Sequence, residues 1–308
     1  MSGGIRRTAG LVAGAGLLAF VWGSLLERNA YALREMTVPV LPAGADPIKV
    51  LHISDLHMAP WQRRKQRWVS ALAALNPDLV VDTGDNLGHE RGIEGVRAAL
   101  EVFRDVPGVF VWGSNDYFGP AFKNPLRYFR QTTHSPKDPP PLDRGALERF
   151  LEGLGWTDLD NTAARITVRG TEIEFFGTDD PHRSFDRLDL VSAAIDDARA
   201  AAGDAALVVG VTHAPYQRVL DSFVTHGADL MLAGHTHGGQ VCVPGYGALV
   251  TNCDIPREQV KGLSLWRHAR RASWLHVSAG LGTSIFAPVR FACRPEATLL
   301  TLVAASEG

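Results

Sequence analysis

The chain has 308 residues, 45% apolar and 21% charged, and its 31 basic and 33 acidic side chains leave a formal net charge of -2. Such a composition belongs to a globular protein with a large core and excludes both a disordered chain and an extended nucleic-acid surface. The three cysteines, Cys242, Cys253 and Cys293, are too few for a disulfide framework. Free buried thiols are favoured over a Cys242–Cys253 pair, and the spacing does not suit a zinc knuckle.

In chain order, residues 1–8 are small and basic, with Arg6 and Arg7, and 9–26 form an uncharged run of 18 residues. That run predicts an N-terminal hydrophobic helix. It reads as a retained membrane anchor because no small-x-small cleavage site follows it. The basic flank puts the main domain outside the cytoplasm, with export of a cleaved chain as the alternative. Residues 1–35 are therefore expected to be anchor and connector, and 36–308 the main domain. Residues 36–41 predict an edge strand limited by Pro39 and Pro42.

Residues 48–53 predict the first core strand and 62–75 a helix with Trp68, Leu72 and Leu75 on one stripe. A strand at 78–81, a helix at 92–103 and a strand at 108–112 follow, an alternation that argues α/β layering. Residues 117–143, rich in proline, predict a lid or insertion with a short helix at 126–130 carrying Arg127 and Arg130. Beyond it come a helix at 145–154, a hairpin of 164–168 with 171–176, and helices at 185–201 and 216–225. Strands are expected at 206–211, 228–232, 239–243, 248–251, 274–277 and 296–303. The two halves thus predict two sheets facing one core. Arg63, Arg64 and Lys65 read as a solvated helix face, and His52, His89 and His134 as surface or locally packed histidines.

Carboxylates and imidazoles recur where the apolar runs end. Asp55 and His57 follow the first strand, Asp82 and Asp85 the second, Asn115 and Asp116 the third, His213 the fourth, and His235 and His237 the fifth. At strand period two, Asp55 and His57 are expected to point the same way. This mixed oxygen and nitrogen set suits two divalent ions such as Mn, Fe, Zn or Co, which activate water and stabilise charge on a transferred phosphoryl group. Asp82 alone reads as a cap or turn residue.

The segments Ile53-Ser54-Asp55-Leu56-His57, Asp82-Thr83-Gly84-Asp85-Asn86, Gly113-Ser114-Asn115-Asp116-Tyr117, Gly210-Val211-Thr212-His213-Ala214-Pro215 and Gly234-His235-Thr236-His237-Gly238-Gly239-Gln240 resemble, in order, the calcineurin-like metallophosphoesterases. The resemblance covers about residues 48–303 and is greatest to a membrane-associated or exported bacterial phosphodiesterase branch, whose tail 280–284, Arg290-Phe291 and 294–296 also resemble. It implies a four-layer α/β/β/α sandwich of two mixed sheets. It further implies that Asp55, His57 and His237 bind a first metal, that Asp85 bridges, and that His213, His235 and an Asn bind a second. A metal-bridging hydroxide would then attack phosphorus.

The third block departs from the family's Gly-Asn-His-Asp or Gly-Asn-His-Glu. Without a gap, Ser114 replaces the Asn ligand and Asn115 the His. With a one-residue shift, Asn115 is the ligand and the His is absent. The shift is favoured because an Asn carbonyl is the better ligand, and Asp116 is then a catalytic candidate in place of the histidine. Tyr117, Lys123, Arg127, Asp180 and His182 are candidate substrate contacts.

The expected activity is hydrolysis of a phosphodiester, with lipid-linked esters among the candidates. Alternatives are a phosphomonoesterase acting on a nucleotide, sugar phosphate or phosphoprotein, and a non-catalytic metal-binding regulator. Residues 9–26 are the expected membrane partner, and no nucleic-acid partner is expected.

Overall fold

The computed structural model of the chain describes residues 14–120 and 139–305. Its first sheet has the order β1-β14-β2-β3-β4-β5, built from Ala32–Leu41, Glu296–Ala304, Ile48–Ile53, Leu79–Asp82, Gly108–Phe110 and Trp156–Asp158. The second has the order β12-β13-β9-β8-β7-β6, from Gly262–His268, Arg271–Val277, Leu230–Ala233, Leu207–Val211, Thr171–Gly177 and Thr162–Val168. Both are mixed. β2 to β5 run parallel, as do β13, β9, β8 and β7, while β14 is antiparallel to β2, β12 to β13 and β6 to β7. A short ribbon, β10 (Cys242–Val243) with β11 (Gly247–Ala248), lies apart.

The parallel strands read as nearly unbroken apolar runs because both of their faces are covered. β3 is buried at every position, and β2 at all but Lys49. Three buried clusters lie between successive layers. One fills the space between the first sheet and the helices Arg63–Ala71, Gly92–Leu100 and Arg144–Gly153. A second joins the two sheets through Val50, Val81, Val109, Phe175, Val209 and Leu232. The third packs the helices Leu188–Ala202 and Gln217–Thr225 on the second sheet. The result is the α/β/β/α sandwich expected for calcineurin-like phosphoesterases. β5 and β12 went unpredicted, and the strand expected at 239–243 shrinks to β10 because 237–239 form a single helical turn.

The membrane-anchor expectation, and the extracytoplasmic placement drawn from it, are corrected. No helix among the described residues is long and apolar enough to cross a membrane. Residues 14–21 are helical, Trp22–Leu26 form a wider turn and Glu27–Asn29 a tighter one, whereas 9–13 lie outside the described residues. The helical path ends where the chain is tied to its own tail. Glu27 is buried, and its carboxylate accepts Trp22 Nε1 at 2.9 Å and the Cys293 amide at 2.7 Å, while Gly23 O accepts the Arg290 amide at 3.2 Å. Of the predicted lid, 121–138, with Lys123, Arg127, Arg130 and His134, also lie outside the described residues.

One other expectation changes, and for His52 the packed alternative holds. Lys65 is not on a solvated face. It is buried, and its Nζ donates to Leu56 O at 2.5 Å. His52 is buried between the sheets, its Nδ1 2.8 Å from Nδ1 of His276 on β13 and its Nε2 3.0 Å from Thr83 Oγ1. His276 Nε2 has no partner. The consistent proton placement has His276 Nδ1–H donating to His52 and His52 Nε2–H donating to Thr83. A further proton would have to occupy the unpartnered His276 Nε2.

Burial lowers both histidines, His276 to about 3 and His52 well below its usual range, the latter also through its neighbour. Below the unfolded value near 6.5 the unfolded chain takes up more protons, so stability falls with pH, by roughly 1.4 kcal/mol per unit for each histidine. We expect the fall in unfolding free energy between pH 7 and 5 to be smaller, by up to about 4 kcal/mol, in a His52→Gln/His276→Gln variant. Equal pH slopes in urea titrations of the metal-free proteins would refute this.

Candidate metal centre

All the core parallel strands end on one side, and the loops leaving them meet there. Asp55 and His57 leave β2, Asp85 leaves β3, His213 leaves β8, and His235 and His237 leave β9. The pairing of Asp55 with His57 does not come from strand period. Both residues lie past the strand in left-handed backbone, φ 49° and 40°, as do Asp85 (57°), His235 (67°) and His237 (50°). Each costs about 1–2 kcal/mol for a residue with a Cβ, and such strain gathers where function over-determines the backbone.

Two triads result, Asp55 with His57 and His237, and Asp55 with Asp85 and His213, each with ligand atoms within 4.8 Å of one another. His57 Nε2 is 3.2 Å from His237 Nε2, and His237 Nε2 is 3.6 Å from Asp55 Oδ1. Asp85 spans the two halves, with Oδ2 3.4 Å from His57 Nε2 and Oδ1 3.5 Å from His213 Nε2. His235 joins through Nδ1, 3.3 Å from His213 Nε2.

These residues fit a pair of divalent ions. Asp55 Oδ1 is buried with no hydrogen-bond partner. The ring nitrogens turned away from the centre face carbonyls, His213 Nδ1 to Thr83 O at 2.7 Å and His235 Nε2 to Asn252 O at 3.1 Å. For neutral rings the carbonyl contacts favour the tautomers that leave His213 Nε2 and His235 Nδ1 as inward lone pairs, although Asn252 Nδ2 also lies 3.1 Å from His235 Nε2. Burial keeps His57 (lowered to about 4), His235 and His237 unprotonated and pushes Asp55 up to about 6. Burial opposes charge on Asp85 and His213, yet each holds the other ionised, the carboxyl well below and the imidazole well above their usual ranges. A dication on Asp85 competes for the same lone pair as that proton.

The close approach demands glycine. A Cβ on Gly234 would lie 1.9 Å from Ser54 Oγ and 2.7 Å from Asp55 Oδ2, and one on Gly113 would lie 2.3 Å from Asp85 Oδ1.

Around the triads, the remaining candidates divide. Asn115 donates its backbone N–H to Asp85 Oδ1 at 2.8 Å and its side-chain Nδ2 to Oδ2 at 2.7 Å. Asp116 is buried and accepts four backbone N–H groups, from Gly113, Asp85, Asn86 and Leu87. These are the contacts of a clamp on the Asp85 loop. Asp82 accepts the Gly84 amide, a turn contact.

Tyr117 OH donates to Asp179 at 2.8 Å and accepts from Arg144, whose guanidinium lies over the Trp112 and Tyr117 rings. Burial and Asp179 raise the Tyr117 hydroxyl far above its usual range. His182 lies against His235, ring centroids 4.4 Å apart, with Nδ1 3.0 Å from Tyr216 OH. Asp180 is buried beside Ser114.

Two buried cations escaped the sequence. Lys65 also donates to His57 O at 3.4 Å, and Arg290 donates to His237 Nδ1 and O and to Ala279 O, Gly280 O, Gly282 O and Cys293 O. Only the tail similarity around Arg290 signalled either one. The cysteines are free, and Cys242 Sγ and Cys293 Sγ share the Gly238 carbonyl.

The sequence profile described as calcineurin-like phosphoesterase matches residues 48–239. The uncharacterized metallophosphoesterase YkuE of Bacillus subtilis (strain 168) is 23% identical, over 97% of this chain and 94% of its own. YkoQ of the same organism, also an uncharacterized metallophosphoesterase, is 27% identical over 88% and 91%. Among solved structures, TT1561 of Thermus thermophilus overlays with a TM-score of 0.44 at 14% identity, over 77% of this chain and 91% of that one.

The Asp116 clamp gives a test. Asp116→Asn should keep the native circular dichroism yet weaken Mn²⁺ binding by about 10–100-fold, the usual cost of losing a group that orients a ligand. Mn²⁺ affinity equal to that of the wild type would show that the clamp does not position Asp85.

Proposed function

The chain belongs to the calcineurin-like phosphoesterases, and from that membership we propose that this metal-dependent phosphoric ester hydrolase acts on phosphodiesters. The observation that carries the diester preference is that, among the described residues, no lysine or arginine pairs with a carboxylate of the two triads. Lys65 and Arg290, the cations nearest the first triad, are fully buried and donate chiefly to backbone carbonyls. The groups acting on Asp85, His213 and Asp180 are other carboxylates, imidazoles and neutral donors. A monoester dianion entering this carboxylate-rich centre meets no compensating arginine among the described residues, whereas a diester brings a single charge.

Two divalent ions held by the triads would supply an activated water at neutral pH and neutralise charge on the phosphoryl oxygens. The protein's own part is positional. Asp85 is gripped from both sides by Asn115, and Asp116 fixes the loop beneath it. In this proposal Asp116 positions and does not transfer a proton. With no histidine at 114 or 115, help to the leaving group is weak, and general acid assistance of about 10²–10⁴-fold is forgone. Diesters with good leaving groups should therefore be turned over best.

The test compares bis(p-nitrophenyl) phosphate with p-nitrophenyl phosphate in added Mn²⁺. We expect the higher kcat/KM on the diester, its loss on chelation, and a fall of more than about 100-fold in Asp85→Asn. Higher kcat/KM on the monoester would overturn the diester proposal.

A further inference from the structure

We propose that Asp180, held by Ser114, supplies the second metal ion's remaining protein oxygen, the place for which the family's third block provides an Asn. The inference rests on the dinuclear phosphoesterase proposal and adds a ligand to its site.

The fold brings Asp180 to that ion from the second sheet. β7 and β8 run parallel, with Gly177 beside Val211, so the loop 178–182 leaves the sheet next to His213. Thr178 Oγ1 and Thr212 Oγ1 tie the two loops at 2.9 Å. One step further on, His182 packs on His235. Asp180 thus sits in the loop between Thr178, tied to the neighbour of His213, and His182, packed on His235, though outside the two triads themselves. From the first sheet, Gly113 closes on Asp85 and His213 so tightly that a Cβ would meet both, at 2.3 and 2.7 Å. Ser114 follows it, and its hydroxyl donates to Asp180 Oδ2.

The carboxylate is fully buried, and its hydrogen-bond donors are neutral, Ser114 Oγ and the His182 amide at 2.9 Å on Oδ1. No lysine or arginine pairs with it among the described residues. Burial raises its pKa to about 6, with His213 the principal group opposing the rise. A buried carboxylate without a lysine or arginine partner costs several kcal/mol, and a dication at the His213–His235 edge offsets that cost. The serine explains the exchange. Its side chain is shorter than asparagine, and as a donor it holds the longer carboxylate through Oδ2. Asn115, favoured from the sequence, has its backbone and side-chain N–H groups on Asp85 instead.

Asp55 Oδ1, in the same centre, is buried and unpartnered, so the surroundings await positive charge and not a hydrogen bond. With Asp180 included, three carboxylates serve two dications. That lowers the site's net positive charge and weakens its hold on dianionic monoesters relative to diesters.

The experiment is Mn²⁺ binding by the full chain, read as ions per chain and as the exchange-coupled electron paramagnetic resonance signal of a Mn pair. The variants are Asp180→Ala, Asp180→Asn, Ser114→Ala and Asn115→Ala, each with circular dichroism to confirm folding. The wild type should bind two ions with a coupled signal. Asp180→Ala should fall to one ion and lose the coupling at Mn²⁺ concentrations that saturate the wild type. Asp180→Asn, nearly the same shape, gives the same readout if the alanine variant does not fold, and should weaken the second ion by roughly 10–100-fold. Ser114→Ala should weaken that ion by about 10-fold without abolishing it, and Asn115→Ala, which removes one hydrogen bond to Asp85, should weaken both ions alike by about 10-fold and abolish neither.

The assignment is overturned by two tightly bound, coupled ions in the Asp180 variants, by loss of the second ion in Asn115→Ala or Ser114→Ala alone, or by a wild type that binds one ion. A wild type with two Asp180-dependent ions and monoester preference would sink the diester proposal and leave this ligand in place.

Discussion

Everything in this molecule is arranged around one electrostatic problem. Asp55 and Asp85 are buried together with four histidines, His213 holds Asp85 ionised, and Asp55 Oδ1 has no hydrogen-bond donor at all. Two carboxylates gathered this way repel one another in a medium that screens poorly, and the proton on His213 offsets one of them. Positive ions offset both. The backbone bears the cost beforehand: five of the seven ligand candidates drawn from the sequence sit at positive φ, and Gly113 and Gly234 exist as glycines because a methyl group would enter the carboxylates. Metal binding is therefore coupled to folding of these loops rather than added to a finished surface.

The layered fold is what lets so many loops meet. Parallel strands deliver their C-terminal ends to one side, and two facing sheets deliver them from two directions. The first sheet gives Asp55, His57 and Asp85, and the second His213, His235, His237 and Asp180. Two polar links then set the sheets against each other just behind the ions. The His52–His276 pair joins β2 to β13, and His213 Nδ1 reaches Thr83 O on the β3 loop. A polar contact in an apolar layer is useful here because apolar packing alone tolerates small slips, whereas a hydrogen bond at 2.7 or 2.8 Å does not. Arg290 plays the corresponding part at the first ion, binding His237 and the 279–282 carbonyls into one rigid wall.

Much of this was legible in the sequence, for definite reasons. The core strands announced themselves as apolar runs because they are buried on both faces, and their terminal Asp and His residues stood out because such residues seldom end five runs in succession. β5 has three residues and ends in Asp158, and β12 alternates weakly on a half-exposed edge, so neither carries a period that a sequence window can register. Lys65 was misjudged because a basic run looks solvated until the carbonyls of Leu56 and His57 are seen over one member of it. The uncharged run at 9–26 passed for an anchor because composition does not reveal that Glu27, just beyond it, is hydrogen-bonded to Cys293 across the whole domain. The convergence of Asp55 and His57 was foreseen for the wrong cause, since left-handed turns and not strand alternation bring them together.

The third block shows how a departure from a family pattern can be read physically. Two features changed there together: a serine stands where a metal-binding amide is expected, and the leaving-group histidine is gone. A fold that had merely lost its site would not keep Asp116 with four backbone donors, nor Asn115 on both oxygens of the bridging carboxylate. Those contacts preserve the geometry of Asp85, which matters only if ions are bound. What has changed is the charge around them. On the proposed assignment, a carboxylate from the opposite sheet takes the place of a neutral amide, which would make the pocket less attractive to a dianion, and the missing histidine would leave it less able to protonate a poor leaving group. Both shifts would favour the proposed substrates, singly charged esters whose leaving groups depart unaided, so the substitution at Ser114 and the loss of the histidine are consistent with one adjustment.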